Sequence, residues 1–142
     1  MSEKVLLVDD ETDFLEVMSE RMKTRGLEVS TSTSAKEALK QAQEENYDAV
    51  VLDLMMPEMD GIEALAALKE KHPELQVILL TGHGSVEKGV EAMKLGAMDF
   101  LEKPIDMNAL TEKIRQAKAQ KMILVDKKTE QKLKEIMTKK GW

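Results

Sequence analysis

Short apolar runs alternate with segments of helical period along almost the whole chain. Residues 4–8 (Lys-Val-Leu-Leu-Val) are apolar without polar alternation, the pattern of a strand covered on both faces. Residues 12–25 place Phe14, Leu15, Met18 and Met22 on one helical face, and Gly26 ends that helix. Residues 27–32 form a weaker strand. Ser34 followed by Glu37 has the spacing of a capping box and predicts a helix over 35–45. Residues 48–52 (Asp-Ala-Val-Val-Leu) are a second strongly apolar strand. Residues 63–71 read as a helix that His72-Pro73 stops, because a proline biases its predecessor away from helical backbone. Residues 76–80 are a further apolar strand, 85–95 a helix closed by Gly96, and 98–101 a short strand. Asp106 is the expected N-cap of a last, long helix from Met107 onward.

Five strands and five helices in strict alternation imply an α/β fold, a parallel sheet with helices on both faces. A chain of 142 residues suits one such domain with a short appendage and buries a core without covalent staples. It has no cysteine, which excludes disulfide scaffolds, thiolate zinc sites and cysteine nucleophiles. Its longest apolar run is five residues, far from the roughly 20 that a membrane span needs. The N-terminus lacks the layout of a signal peptide, so a cytoplasmic location is expected. Net charge is −6. The segment 120–142 holds seven lysines against Asp126, Glu130 and Glu135, so it carries +4 and the preceding part −10. An acidic body with a basic end is a poor partner for nucleic acid.

In open α/β sheets, ligands bind beyond the carboxyl ends of the strands. After the first strand stand Asp9, Asp10 and Glu11; after the third, Asp53; after the fourth, Thr81 and Gly82; after the fifth, Glu102, Lys103 and Pro104. Adjacent strands lie ~4.8 Å apart, so these groups converge on one edge. Three clustered aspartates repel unless a cation joins them, and Mg²⁺ favours hard oxygen ligands. A carboxylate is also a competent nucleophile toward phosphorus. Lys103 offers a point charge to phosphoryl oxygens and Thr81 a hydroxyl. Each piece alone has a plain reading: an acidic turn entering a helix, a loop acid, a surface lysine, a turn hydroxyl. Their common position at one sheet edge favours the chemical one.

Four motifs carry a resemblance. They are Leu7-Val8-Asp9-Asp10-Glu11, the stretch from Asp53 through Pro57 to Asp60-Gly61, Leu80-Thr81-Gly82, and the stretch from Gly96 through Phe100 to Lys103-Pro104. In order and spacing they resemble the receiver domain of two-component response regulators. The resemblance covers residues 4–119 and implies a flavodoxin-like, doubly wound (βα)5 fold with strand order 2-1-3-4-5, spanning residues 1–120, with 121–142 as a C-terminal helical extension. It implies that Asp53 accepts a phosphoryl group from a sensor histidine kinase or phosphotransfer protein. Asp10, Asp53 and the backbone carbonyl of Met55 would ligate Mg²⁺, with Asp9 acting mainly through a metal-bound water. Lys103 would bridge the phosphoryl group, and the Lys103-Pro104 bond is expected to be cis. Thr81 and Phe100 fall on the family's switch pair, through which the fourth helix, fifth strand and fifth helix would present a changed surface to a protein target or a second copy. Phe100 stands where a tyrosine is commoner, so a phenol hydrogen bond is absent; an ordinary core aromatic is its plain reading. Pro57 and Gly61 are expected to shape the loop and helix entry, with Asp60 as a cap.

Met55 is apolar and cannot orient a water for attack, which predicts a long-lived phosphoryl group; His83 could do so only if it reaches inward. For the end of the chain three forms stay open: a prolonged fifth helix with a frayed end, a docking or dimer-forming helix capped by Asp126, or a nucleic-acid contact, against which the lack of a helix-turn-helix pattern argues. Two other functions compete with the phospho-switch. A phosphatase of the haloacid-dehalogenase type needs two aspartates one residue apart after its nucleophile strand, whereas Asp9 is followed at that offset by Glu11 and Asp53 by Met55. A receiver belonging to a longer DNA-binding transcriptional regulator also fits, since the 96–104 stretch resembles receivers fused to ATPase and DNA-binding domains. The expectation is a switch and not an enzyme acting on a separate substrate.

Overall fold

The structure, a computed structural model, describes residues 2–54, 61–82, 86–139 and 141. Its elements run β1 (Lys4–Val8), α1 (Thr12–Thr24), β2 (Glu28–Ser32), α2 (Ala35–Glu44), β3 (Ala49–Asp53), α3 (Gly61–Lys71), β4 (Gln76–Thr81), α4 (Val86–Lys94), β5 (Asp99–Glu102) and α5 (Met107–Lys139). The five strands are parallel and ordered β2-β1-β3-β4-β5, as expected.

Successive strand residues point to opposite faces, and both faces are apolar. Leu6, Val8, Val50, Leu52, Val77 and Leu79 face one core, shared with α2, α3 and α4. Val5, Leu7, Ala49, Val51, Ile78 and Leu80 face the other, shared with α1 and α5. This explains the unalternated apolar runs: each central strand is buried twice. At roughly 25 cal/mol per Å² of apolar surface, these two layers supply the main stabilisation.

Local signals act where expected. Ser34 Oγ accepts from the Glu37 amide at 3.2 Å and opens α2. Asp106 Oδ1 accepts from the amides of Asn108 and Ala109 at 2.9 and 3.3 Å and opens α5. Gly26 (φ +86°) and Gly96 (φ +102°) provide the left-handed residues that close α1 and α4. The ends differ from the sequence reading by a residue or two. β3, β4 and β5 each run one residue further, because the parallel ladder continues through Asp53 opposite Leu80 and Thr81 opposite Glu102. α3 begins at Gly61 instead of Glu63, and only a glycine fits there, since a Cβ would lie 2.6 Å from Leu54 Cα.

The fifth helix departs most. It is one helix of 33 residues, about 50 Å long, and Asp126 lies inside it instead of capping a separate one. It crosses residue 120 without a break. Lys121 ties it to the body: its Nζ donates to Asn46 Oδ1 and to the Tyr47 carbonyl, each at 2.6 Å. Burial holds the Lys121 pKa below the usual lysine value. No helix among the described residues is long and apolar enough to cross a membrane.

The close approach at Gly61 makes a stability prediction. Gly61→Ala should cost about 1–3 kcal/mol, because backbone and not a flexible side chain must yield. Gly82→Ala, where an added Cβ meets nothing within 4 Å, should be close to neutral. Urea unfolding of the two variants checks the contrast.

Candidate functional site

The carboxyl edge of the sheet gathers the polar strand-end residues. Asp9 follows β1 directly and is fully buried; Asp53 ends β3 and is 4% exposed. Burying two carboxylates on neighbouring strands demands compensation. One Asp9 oxygen accepts from the Glu11 amide at 2.9 Å. The other faces Lys103 Nζ at 3.3 Å, and the same ammonium lies 3.6 Å from Asp53 Oδ2. Lys103 thus sits between both acids, reaching from the far side of β4. Asp10 is exposed at the mouth of the pocket, and one oxygen from each of Asp9, Asp10 and Asp53 lies within 4.8 Å of the others. Three carboxylates gathered this closely are the residues that would hold a divalent cation. The donor set, three carboxylates and no nitrogen or sulfur, suits a hard cation.

Thr81 ends β4 and is buried; its hydroxyl donates to the Leu101 carbonyl at 3.4 Å, while its own carbonyl accepts from the Lys103 amide at 2.8 Å. The Lys103-Pro104 bond is cis. Phe100 lies in β5, partly buried against the core shared with α2, α3 and α4. Its ring packs on Gly89 of α4, where an added Cβ would stand 3.2 Å from three ring carbons. Met55, the expected carbonyl ligand, lies outside the described residues, as do Pro57, Asp60 and His83.

Two participants were not read from the sequence. Phe14, assigned only to the core face of α1, places its ring 4.5 Å from Lys103 Nζ. Its place in the first turn after Asp9-Asp10-Glu11 was the available signal. A cation over an aromatic face gains roughly 0.5–2 kcal/mol, so Phe14 helps to hold the lysine stem in place. Gly89 had no signal beyond being a glycine inside a helical segment.

Fold and pocket together define a class: a doubly wound α/β domain whose carboxyl edge carries an aspartate cluster and one inward lysine. Residues 5–115 match the response regulator receiver domain family, and the chain belongs to it. It is similar to the C4-dicarboxylate transport transcriptional regulatory protein DctD of Pseudomonas aeruginosa, 39% identical over 127 residues, which are 89% of this chain and 27% of that protein. It is similar also to the transcriptional regulatory protein ZraR of Escherichia coli K12, 36% identical over 115 residues, 81% of this chain and 26% of that one. The chain therefore spans about a quarter of the length of these curated relatives. Among solved structures, a response regulator receiver domain protein from Clostridium thermocellum superposes with a TM-score of 0.82 at 35% identity, covering 86% of this chain and 98% of that one.

The shared cation between two acids predicts a coupling. Lys103→Met should destabilise the protein by about 2–4 kcal/mol, because it strands buried carboxylates beside each other. In an Asp9→Asn background the same change should cost less, by about 1 kcal/mol or more. Equal costs in the two backgrounds, measured by urea unfolding in cation-free buffer, would show that Asp9 and Lys103 act independently.

Proposed function

We propose that Asp53 is a phosphoryl acceptor and that the domain is a two-component switch driven by a sensor histidine kinase or phosphotransfer protein. The observation that carries this reading is Lys103 Nζ, held within 4 Å of both Asp9 and Asp53 at the end of the sheet. An Asp53 oxygen attacks phosphorus in line; the new O–P bond forms as the donor's N–P bond breaks, and the imidazole departs with the electron pair. Lys103 is placed to neutralise the equatorial oxygens. Asp9, Asp10, Asp53 and the Met55 carbonyl are the residues that would hold Mg²⁺, which supplies charge neutralisation when bound. The chain needs no separate substrate in this scheme; formation and loss of the aspartyl-phosphate are its own reactions.

The Thr81 hydroxyl, which now rests on the Leu101 carbonyl, is free to exchange that partner for a phosphoryl oxygen. Its departure would leave space into which the Phe100 ring turns. Gly89 lies against that ring, so a turn of the ring is felt by α4. The phosphoryl group thereby stabilises one of two packings and changes the surface of α4, β5 and α5. A downstream protein, or a second copy through that surface, would read it. We take residues 1–120 as the receiver and 121–142 as an extension, in a cytoplasmic protein. A second reading is favoured by the coverage: this receiver is part of a longer transcriptional regulator, as in DctD and ZraR, and any contact with DNA is made elsewhere in that protein.

With Mg²⁺ and acetyl phosphate, the chain should gain one phosphoryl mass by intact mass spectrometry, and Asp53→Ala should gain none. An adduct that survives in Asp53→Ala places the acceptor elsewhere; an undiminished adduct in excess chelator removes the cation from the scheme. With an apolar Met55 two residues beyond the acceptor, the adduct should persist for minutes or longer after donor removal. Decay within seconds, in Mg²⁺ buffer without a phosphatase, contradicts that expectation.

A further inference from the structure

Three groups meet the Lys103 ammonium, and only two of them are acids. Asp9 Oδ2 lies 3.3 Å away and Asp53 Oδ2 3.6 Å away. The third is the ring of Phe14, with its centroid 4.5 Å from Nζ, well inside the range of a cation over an aromatic face. An ammonium has three N–H donors, so two carboxylates and one ring face are enough to engage it fully.

The ring is placed by the same turn that orients the acids. One Asp9 oxygen accepts from the Glu11 amide at 2.9 Å, and the Glu11 carbonyl accepts from the Leu15 amide at 3.1 Å to open α1. That first turn of α1 carries Phe14, whose half-buried ring also packs against the core shared by α1 and α5. The root of the lysine is fixed separately, by its amide bond to the Thr81 carbonyl at 2.8 Å. Backbone, acids and ring thus hold Lys103 from different directions. An aromatic face does what a third carboxylate could not. It attracts the ammonium through its quadrupole and adds no net charge, whereas another acid would repel arriving phosphoryl oxygens. It also keeps water from one side of the ammonium, where a charge acts more strongly on a developing anion.

We propose that Phe14 is a positioning residue for phosphoryl transfer, acting through Lys103 and not by touching the phosphoryl group. The proposal rests on Asp53 being the acceptor. Once Asp53 is esterified, it no longer holds the lysine as a free carboxylate. Asp9 then pulls on Nζ alone, and the ring is the contact that keeps the ammonium from closing on Asp9 and leaving the equatorial oxygens.

The test uses acetyl phosphate: an Asp53 O–P bond forms as the acetyl O–P bond breaks, and acetate departs with the electron pair. The second-order rate constant at saturating Mg²⁺, followed by intact mass, should fall about three- to tenfold in Phe14→Leu. Phe14→Tyr, which keeps the ring face, should stay within about twofold of the wild-type rate. Leu15→Val trims the buried neighbour of Phe14 on α1 and should lower stability without moving the rate. In a Lys103→Gln background, Phe14→Leu should change the rate by less than about twofold. Mg²⁺ affinity by calorimetry should be the same in wild type and Phe14→Leu. Independently of any rate, the ring current should displace the Lys103 ε-methylene proton resonances. That displacement should vanish in Phe14→Leu and persist when beryllofluoride, a phosphoryl mimic, is bound. The proposal is overturned by an unmoved rate in Phe14→Leu, by an equal loss in Leu15→Val, or by an equal loss in both Lys103 backgrounds. A rate loss explained by weaker Mg²⁺ binding, or a ring-current displacement that is missing or lost with beryllofluoride, also overturns it. An absence of any Asp53-dependent adduct in the wild-type chain is a different failure, that of the acceptor reading itself, and takes this inference with it.

Discussion

Two carboxylates on adjacent strands, both withdrawn from water, are the hardest thing this fold has to accommodate. The ammonium of Lys103 accommodates them. It begins just past the edge strand β5, passes β4 and Thr81, and ends between the strand ends of β1 and β3. Such a reach needs a long stem held in one direction, which the Phe14 ring and the Lys103 amide bond to Thr81 help to supply. Remove the lysine and the site becomes a cluster of like charges; remove the acids and the lysine has no reason to turn inward. The strand order 2-1-3-4-5 is what puts the two aspartates side by side and the lysine at a distance it can span.

The same order divides the interior in two. One core joins α1 and α5 to the sheet, the other joins α2, α3 and α4. The pocket sits where both meet the strand ends. Phe100 and Gly89 extend from it along the second core, where the absence of a side chain at Gly89 lets the ring lie against α4. A ring packed that closely cannot reorient without α4 responding, because packed interiors deform in discrete steps and not smoothly. In the proposed switch, this contact is where a change at the carboxyl edge would reach α4.

Most of the fold was legible because each central strand is buried on both faces, and unbroken apolar runs such as Val5–Val8 and Val50–Leu52 have few other homes. Most of the pocket was legible because its members stand within two residues of the ends of the apolar runs: Asp9, Asp53, Thr81 and Lys103. What stayed hidden depends on partners far away in sequence. The bond from Lys103 to Asp9 joins residues 94 apart, and that from Lys121 to Asn46 joins residues 75 apart. No local pattern distinguishes Lys121 from its many solvated neighbours. The prolonged α5 stayed open for a related reason: Asp126 is a plausible cap when only its neighbours are considered, and a tolerated interior residue when the helix is already nucleated upstream.

Lys121 fixes α5 to the α2–β3 connection and is the last buried residue of the helix. Past that pin α5 runs on for 18 described residues, nearly all exposed, an arm of about 27 Å. Geometry then sets a gearing. A tilt of about 5° in the helix at the pin moves its tip by roughly 2 Å, several times the shift that a repacked side chain makes in the core. A displacement too small to alter the body's outline is thus delivered, enlarged, at the far end of the arm.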